Sequence, residues 1–306
     1  MTGLHDFLRA SAQRDPAQPV FIRRDQISTY GELDVASGRF AAGLRDAGIR
    51  KGDRVALVLD GDVDFLIAYY GIAKAGAAVI PLCPDTRTGP LVYGIAHAGA
   101  AAVILDAANA GYLVGQASQV PTLRLVIHRG VVAPSGDPFT FVPFQDLTRS
   151  NVELHGAGTS PSDLLSVTYT SGTTGRPKGV MLSHHNLMSN VRSIVQYLDL
   201  TAADRVAAIL PFYYVYGNSV LHTHVFAGAT IVHAGSMAFP AQVLKTIEAR
   251  SCTGLSGVPA TFARLVGLTN LAEHDVSSLR YFTQAGAGMA PALTEKLGAA
   301  FPRARF

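Results

Sequence analysis

Leu164-Leu165-Ser166-Val167-Thr168-Tyr169-Thr170, then Ser171-Gly172-Thr173-Thr174-Gly175-Arg176-Pro177-Lys178-Gly179, then Val180-Met181-Leu182: this stretch decides how the chain is read. Residues 164–168 are apolar and β-branched, the composition of a buried strand, and 180–182 return to that character. The segment between them is built for an anion. Its glycines let backbone N–H groups come close to a phosphate, and the hydroxyls of Thr170, Ser171, Thr173 and Thr174 are neutral donors. Lys178 adds a mobile positive charge at the end of the loop. The chain contains only five lysines, so one in this position carries weight. A turn whose hydroxyls merely solvate it is the plain alternative.

A P-loop would require Gly-Lys-Ser/Thr running into a helix. Here Pro177 precedes Lys178, Gly179 follows it, and a strand comes next, so the phosphotransferase reading fails on spacing and context. Ser171-Gly172 is not a nucleophile elbow either, because the Gly-x-Ser-x-Gly spacing is absent.

Outward from this loop, strand and helix signals alternate. Thr29 to Glu32 has capping-box spacing, apolar residues follow at Leu33, Ala36, Phe40, Leu44 and Ala47, and Gly48 is placed to end that helix. Residues 55–59 form an apolar run, Asp62 opens a helix closed by Gly76, and 79–82 are apolar again. The alternation continues through 103–105, 123–127, 206–210, 230–232 and 253–256, with helices over 184–198, 240–249 and 291–300. Such βα alternation predicts an α/β fold of layered, mostly parallel sheets with flanking helices. Residues 130–136 read as an internal loop, and 301–306 as the approach to a further strand that the chain leaves incomplete.

At 306 residues the chain can bury a large core or two ordinary ones. Hydrophobic residues make up 48% and charged residues 15%, which excludes a disordered polymer. Net charge is +3, with no run of five like charges, so no nucleic-acid partner and no membrane insertion are expected. Cys83 and Cys252 are too far apart for a redox or metal motif and read as reduced thiols, which together with the lack of a leader-like start suggests a cytoplasmic protein. His222 and His224, two apart and without a third ligand nearby, read as a structural pair rather than a zinc site.

Every position from 167 to 178 resembles the AMP-binding signature of the adenylate-forming superfamily: acyl-CoA synthetases, acyl-AMP ligases, luciferases and the adenylation domains of nonribosomal peptide synthetases. Further landmarks stand in order. They are Ser28-Thr29-Tyr30-Gly31-Glu32-Leu33, Ala73-Lys74-Ala75-Gly76-Ala77-Ala78-Val79-Ile80-Pro81-Leu82, Pro211-Phe212-Tyr213-Tyr214-Val215-Tyr216-Gly217, and Gly286-Ala287-Gly288. The resemblance implies one N-terminal AMP-binding domain over 1–306, incomplete, with a subdomain break near 150–165 and the small C-terminal domain absent. The Tyr-Gly-x-Thr-Glu motif, the ribose-holding aspartate, the hinge and the C-terminal lysine of the family would lie after Phe306. The 306 residues alone are therefore expected to be poorly active.

The implied activity is ATP-dependent activation of a carboxylic acid as its adenylate, with transfer to the thiol of CoA or of an acyl or peptidyl carrier protein's phosphopantetheine. ATP, Mg²⁺ and CoA or phosphopantetheine are the implied cofactors. Lys178 is assigned the catalytic charge at the β- and γ-phosphates, with Thr170, Ser171, Gly172, Thr173, Thr174 and Gly175 also on ATP. Gly286, Ala287 and Gly288 are assigned to adenine. Tyr213, Tyr214, Gly217, Asn218 and Val258 are assigned to the acid, and no protein side chain to the metal. Two alternatives accompany this reading: a catalytically silent nucleotide- or acyl-binding fragment, and an amino-acid-activating enzyme. Against the second, residues 211–218 lack the aspartate that amino-acid-activating members use, and they lack the His-Asn pair of aryl-acid activators. These two absences leave a nonpolar or small cyclic acid as the expected substrate, and Tyr214 stands where many CoA ligases of the family have a histidine that orients substrate between the two half-reactions.

Overall fold

The computed structural model describes residues 1–85, 89–131, 138–156, 158–170, 177–268 and 271–305. Its strands are β1 (Pro19–Arg23), β2 (Gln26–Thr29), β3 (Arg54–Val58), β4 (Ala78–Pro81), β5 (Ala102–Asp106), β6 (Leu125–Arg129), β7 (Thr140–Pro143), β8 (Leu164–Thr170), β9 (Lys178–Ser183), β10 (Arg205–Ala208), β11 (Thr230–His233), β12 (Gly254–Gly257) and β13 (Tyr281–Gln284). The helices are α1 (His5–Arg14), α2 (Tyr30–Asp46), α3 (Val63–Lys74), α4 (Gly89–Ala98), α5 (Ala107–Val114), α6 (Phe144–Thr148), α7 (His184–Leu198), α8 (Val215–Ala227), α9 (Pro240–Arg250), α10 (Pro259–Val266) and α11 (Pro291–Ala300).

The chain divides into two compact units. The first comprises residues 1–16, 30–190 and 212–215, and the second 17–29, 191–211 and 216–306. Residues 150–165 lie inside the first unit.

The first unit is built on a seven-stranded sheet in the order β7-β6-β5-β3-β4-β8-β9. Every neighbouring pair is parallel except β8 with β9. Parallel strands must be joined by crossovers, which cover both faces of the sheet, and the strands are accordingly apolar on both sides. Val55, Ala56, Leu57 and Val58 of β3 are all fully buried. On one face Ala56, Val58, Ile80, Val103 and Leu105 pack with Leu91, Val92 and Ile95 of α4 and Leu113 of α5. Elsewhere in this unit Phe40 of α2 meets Phe144 of α6 at 4.8 Å between ring centroids. The expected start of α3 is present as read: the Asp62 carboxylate accepts from the Phe65 N–H at 3.2 Å. Lys74, at the other end of α3, is fully buried. Its ammonium donates to Asp34 Oδ1 at 2.6 Å, to the Asp34 carbonyl at 2.7 Å and to Ser37 Oγ at 2.9 Å, so all three of its protons are used and α3 is tied to α2. Burial pushes the Lys74 pKa down, and the Asp34 carboxylate opposes that shift.

The second unit carries a six-stranded sheet in the order β13-β12-β10-β11-β1-β2. It is parallel apart from the β1–β2 hairpin. Its core joins Ala207, Val232 and Leu255 of the strands to Val243, Leu244 and Ile247 of α9 and Phe262 of α10. The Arg280 guanidinium grips Asp204 through two donors, each at 2.7 Å. Although burial alone would raise it, Asp204 is held down to about 2 by Arg280 and by hydrogen bonds from Thr201 and Thr253.

Most of the expected strands and helices form within a residue or two of their sequence bounds. The run expected at 206–210 stops at Ala208, and Pro211, which cannot donate to a ladder, lies just beyond. The run expected from 123 begins pairing at Leu125, after the Pro121-Thr122 turn. Near the chain's end Tyr281 and Arg305 form an isolated parallel bridge, in the stretch read as approaching a strand. The internal loop read over 130–136 lies, beyond Val131, outside the described residues. Cys83 and Cys252 are both free thiols, and no described helix is long and apolar enough to cross a membrane.

His222 and His224 lie on α8 as buried structural residues. His224 hydrogen-bonds the Val220 carbonyl through Nδ1 and Tyr281 Oη through Nε2, both at 2.7 Å. Among the described residues no cluster of three or more His, Cys, Asp or Glu could hold a metal. Burial pushes His224 down to about 4 and His222 to about 3 in this unit, and His5 and His184 to about 4 in the first. Unfolded histidine takes up a proton near 6.5 while these four remain neutral in the folded chain. Stability is therefore complete above pH 6.5 and falls as pH drops from there toward 4, by at most about 1.4 kcal/mol per pH unit for each histidine. Urea denaturation should show a clearly lower midpoint at pH 5 than at pH 7.5. A midpoint that stays flat across that interval would show that these histidines are accessible.

Candidate active site

The strand–loop–strand reading of the signature holds on both flanks. β8 ends at Thr170, β9 starts at Lys178, and the two strands run antiparallel. The ladder puts Thr170 directly opposite Lys178 and Tyr169 opposite Gly179. Thr170 and Lys178 are both exposed, so a hydroxyl and an ammonium stand side by side where the loop leaves and rejoins the sheet. Ser171, Gly172, Thr173, Thr174 and Gly175 lie outside the described residues.

The aromatic segment of the first unit splits by role. Phe212 is core, 2% exposed, and packs on Phe65 at 5.9 Å between centroids. Tyr214 is 57% exposed, and its ring lies 4.7 Å from that of Tyr213. Burial, reinforced by the neighbouring Cys83 thiol, raises the phenol pKa of both tyrosines, and Asp85 adds to it. Both therefore stay protonated at neutral pH and act as hydrogen-bond donors with apolar ring faces. From the sequence Cys83 was read only as a reduced thiol, with no part in the site, and Asp85 was not singled out. Their signal was weak, since each sits in a turn after an apolar strand.

The remaining assigned residues belong to the second unit, and several gather at the carboxyl ends of its parallel strands, the end at which open α/β sheets bind ligands. Val258 follows β12 and opens α10, where its N–H donates to Thr261 Oγ1 at 3.2 Å. Gly286 follows β13, and a Cβ built on it would lie 3.4 Å from Val258 Cγ1, so these two expected residues are neighbours. Gly286 has φ +93°, a conformation that a side chain strains. A Cβ on Gly288 would meet nothing within 4 Å, and Gly286, Ala287 and Gly288 are all exposed, leaving a low, open surface.

Tyr216 Oη lies 2.7 Å from Thr283 Oγ1, which lies 2.8 Å from Ser256 Oγ, so the start of α8 is hydrogen-bonded to the ends of β12 and β13. Gly217 has a packing explanation of its own: a Cβ there would stand 2.1 Å from the Pro211 carbonyl oxygen. Asn218, beside it, is buried. Sequence reading passed over Gln284, the last residue of β13, whose buried Oε1 has no hydrogen-bond partner among the described residues. A polar side chain at the end of a strand, two residues before Gly286, was the available signal.

The described geometry thus offers a hydroxyl–ammonium pair at the mouth of a glycine loop and, by itself in the second unit, an open glycine surface at the ends of β12 and β13. Known proteins share this architecture. The structure of the anthranilate CoA ligase AuaEII in complex with anthranoyl-AMP superposes with a TM-score of 0.89 over 98% of this chain and 58% of that one; at 22% identity the likeness is one of fold. The N-terminal domain of FACL13 from Mycobacterium tuberculosis, in an inhibitor-bound crystal structure, is 27% identical with a TM-score of 0.86, covering 98% of this chain and 73% of that one. The 4-coumarate-CoA ligase 1 of Narcissus pseudonarcissus is 30% identical over 287 residues, 90% of this chain and 50% of that protein. The chain spans about half the length of the curated relatives it matches. With the family model described as AMP-binding enzyme matching residues 8–306, nearly its whole length, the chain belongs to the AMP-binding enzyme family.

Proposed function

We propose that the chain forms the ATP-binding part of an enzyme that activates a carboxylic acid as its acyl-adenylate and passes the acyl group to a thiol, that of CoA or of a carrier protein's phosphopantetheine. A carboxylate oxygen attacks the α-phosphorus of MgATP and pyrophosphate leaves. The thiol sulfur then attacks the acyl carbon and AMP leaves. No nucleophile from the protein is needed, and catalysis rests on positioning and on meeting charge as it develops. The observation that carries the proposal is the pairing of Thr170 with Lys178 across the β8–β9 ladder, in a chain of the AMP-binding family.

In this reading Lys178 and Thr170, with Ser171, Gly172, Thr173, Thr174 and Gly175, hold the β- and γ-phosphates, and Mg²⁺ arrives as MgATP. Gly286, Ala287 and Gly288 accept the flat base, while Tyr213, Tyr214, Gly217, Asn218 and Val258 contact the acid. The names of the relatives and the anthranoyl-AMP held by one structural neighbour support adenylate chemistry. The absence of a carboxylate from residues 211–218 favours an acid with an apolar body over an amino acid. Two free thiols suit the reducing cytoplasm.

In the full-length enzyme, acid-dependent exchange of labelled pyrophosphate into ATP tests the reaction, and acid-stimulated release of ADP in place of exchange would overturn it. Lys178→Ala removes a charge-assisted phosphate contact of about 1.5–3 kcal/mol, so the KM for MgATP should rise at least about tenfold while the KM for the acid changes little. Unchanged ATP kinetics would take Lys178 off the phosphates. Tyr214→Ala should reorder the preference among acids of different size, with the KM for MgATP held within about twofold. A defect confined to ATP would remove Tyr214 from the acid.

A further inference from the structure

Both flanks of the signature loop are fastened to one helix, and none of the fastening residues has a part in the proposed chemistry. On the β9 side, Tyr93 Oη donates to the Pro177 carbonyl at 3.1 Å, on the residue immediately before Lys178. On the β8 side, Tyr169, the residue before Thr170, donates from Oη to the Gly94 carbonyl at 3.3 Å and lies 2.9 Å from His97 Nδ1. A phenol has one proton to give. With that proton on the Gly94 carbonyl, His97 must carry its own on Nδ1 and donate to the Tyr169 oxygen, so the three groups form a directed chain. Burial raises the Tyr169 pKa to about 12, and the phenol keeps that proton across the physiological range.

Tyr93, Gly94 and His97 all lie on α4, and the side chains of Tyr93 and His97, four residues apart, fall on one face. Their rings stack at 5.0 Å, and Tyr93 meets the Tyr169 ring edge-on at 6.2 Å. The cross-strand partner of Tyr169 is Gly179, where a Cβ would come within 2.8 Å of Val167 Cγ1 and 3.6 Å of the Tyr169 ring. A side chain at 179 would crowd the strand that carries Tyr169, so the glycine after Lys178 serves the packing of this hairpin.

We infer that Tyr93 is a positioning residue for Lys178: its hydrogen bond to the Pro177 carbonyl sets where the lysine leaves the sheet, while Tyr169 and His97 hold Thr170 opposite it. This rests on the reading of Lys178 as a phosphate contact. Without the clasp Lys178 keeps its charge but must be ordered at the moment nucleotide binds, and MgATP affinity carries that cost. Pro177 contributes no N–H, so its carbonyl is the backbone group through which this residue can be held.

The test uses Tyr93→Phe, which deletes one hydroxyl and keeps the ring, alone and combined with Lys178→Ala. Titration calorimetry measures the MgATP Kd, pyrophosphate exchange in the full-length enzyme gives kcat and KM, and limited trypsin digestion reports cleavage after Lys178. One neutral hydrogen bond predicts a MgATP Kd and KM about threefold to tenfold higher in Tyr93→Phe, with kcat and the KM for the acid within about twofold and faster cleavage at Lys178. In the Lys178→Ala background the same change should cost nothing further, because the residue being positioned is gone. Unchanged Kd and cleavage in Tyr93→Phe, or losses that simply add in the double variant, would overturn the inference. If the full-length enzyme binds MgATP but exchanges no pyrophosphate, the proposed reaction fails alone, and Kd and cleavage still decide for or against Tyr93. A wild-type chain that binds no MgATP overturns both.

Discussion

Strand β8 is constrained on its two edges in opposite senses. It pairs parallel with β4 on one side and antiparallel with β9 on the other. A parallel partner can be reached only through a long crossover, whereas an antiparallel partner can follow after a short connection. The change of sense at β8 therefore brings the two ends of the signature loop together as adjacent cross-strand positions. Had the chain continued in parallel, Lys178 would have begun a helix on a face of the sheet, and Thr170 and Lys178 could not have become a pair. The candidate phosphate contact follows from this single reversal at the sheet's edge.

Within each unit the sheet is held by apolar burial and registered by a small number of paired charges. Lys74 with Asp34 links α2 to α3 in the first unit. Arg280 with Asp204 ties the approach to β10 to that of β13 in the second. Removing Asp34 would leave the fully buried Lys74 charge, and removing Arg280 the nearly buried Asp204 charge, with little water to solvate it, which costs several kcal/mol, whereas the intact pair offsets most of its own desolvation. Such pairs contribute less to total stability than to deciding which helix and strand ends meet. Arg129 plays a comparable part in the first unit, where Asp62, Asp64 and Asp106 surround it at the carboxyl end of β6.

Much of the candidate site could be read from residue types because its chemistry is local. Thr170 and Lys178 are eight residues apart, and the apolar runs on each side of them announce the hairpin. Gly286 is an exposed glycine with positive φ, the conformation that residue most readily supplies. Gly217 could be read as a glycine that something approaches, but what approaches it is the Pro211 carbonyl. The aromatic run 212–214 could not be divided by composition. Phe212 turns into the core and Tyr214 out of it, and that choice was made by Phe65 and Cys83, more than a hundred residues earlier in the chain.

By itself the sequence determined the α/β class, most strand and helix positions, and the strands that flank the loop before Lys178, since all of these depend on periodicity, caps and neighbouring residue types. It did not disclose β1 and β2. Their turn, with Arg24 at φ +53°, contains neither Gly nor Asn, and β1 finds its parallel partner in β11, more than two hundred residues away. Nor did it disclose the two-unit division, in which residues 17–29 belong to a sheet otherwise built from the second half of the chain. The hold of Tyr93 and His97 on the signature hairpin was equally silent, because a tyrosine and a histidine on an amphipathic helix carry no mark of what they will touch. These features rest on contacts between residues far apart in the chain, and the partners acquire their meaning only when apolar burial has brought them together.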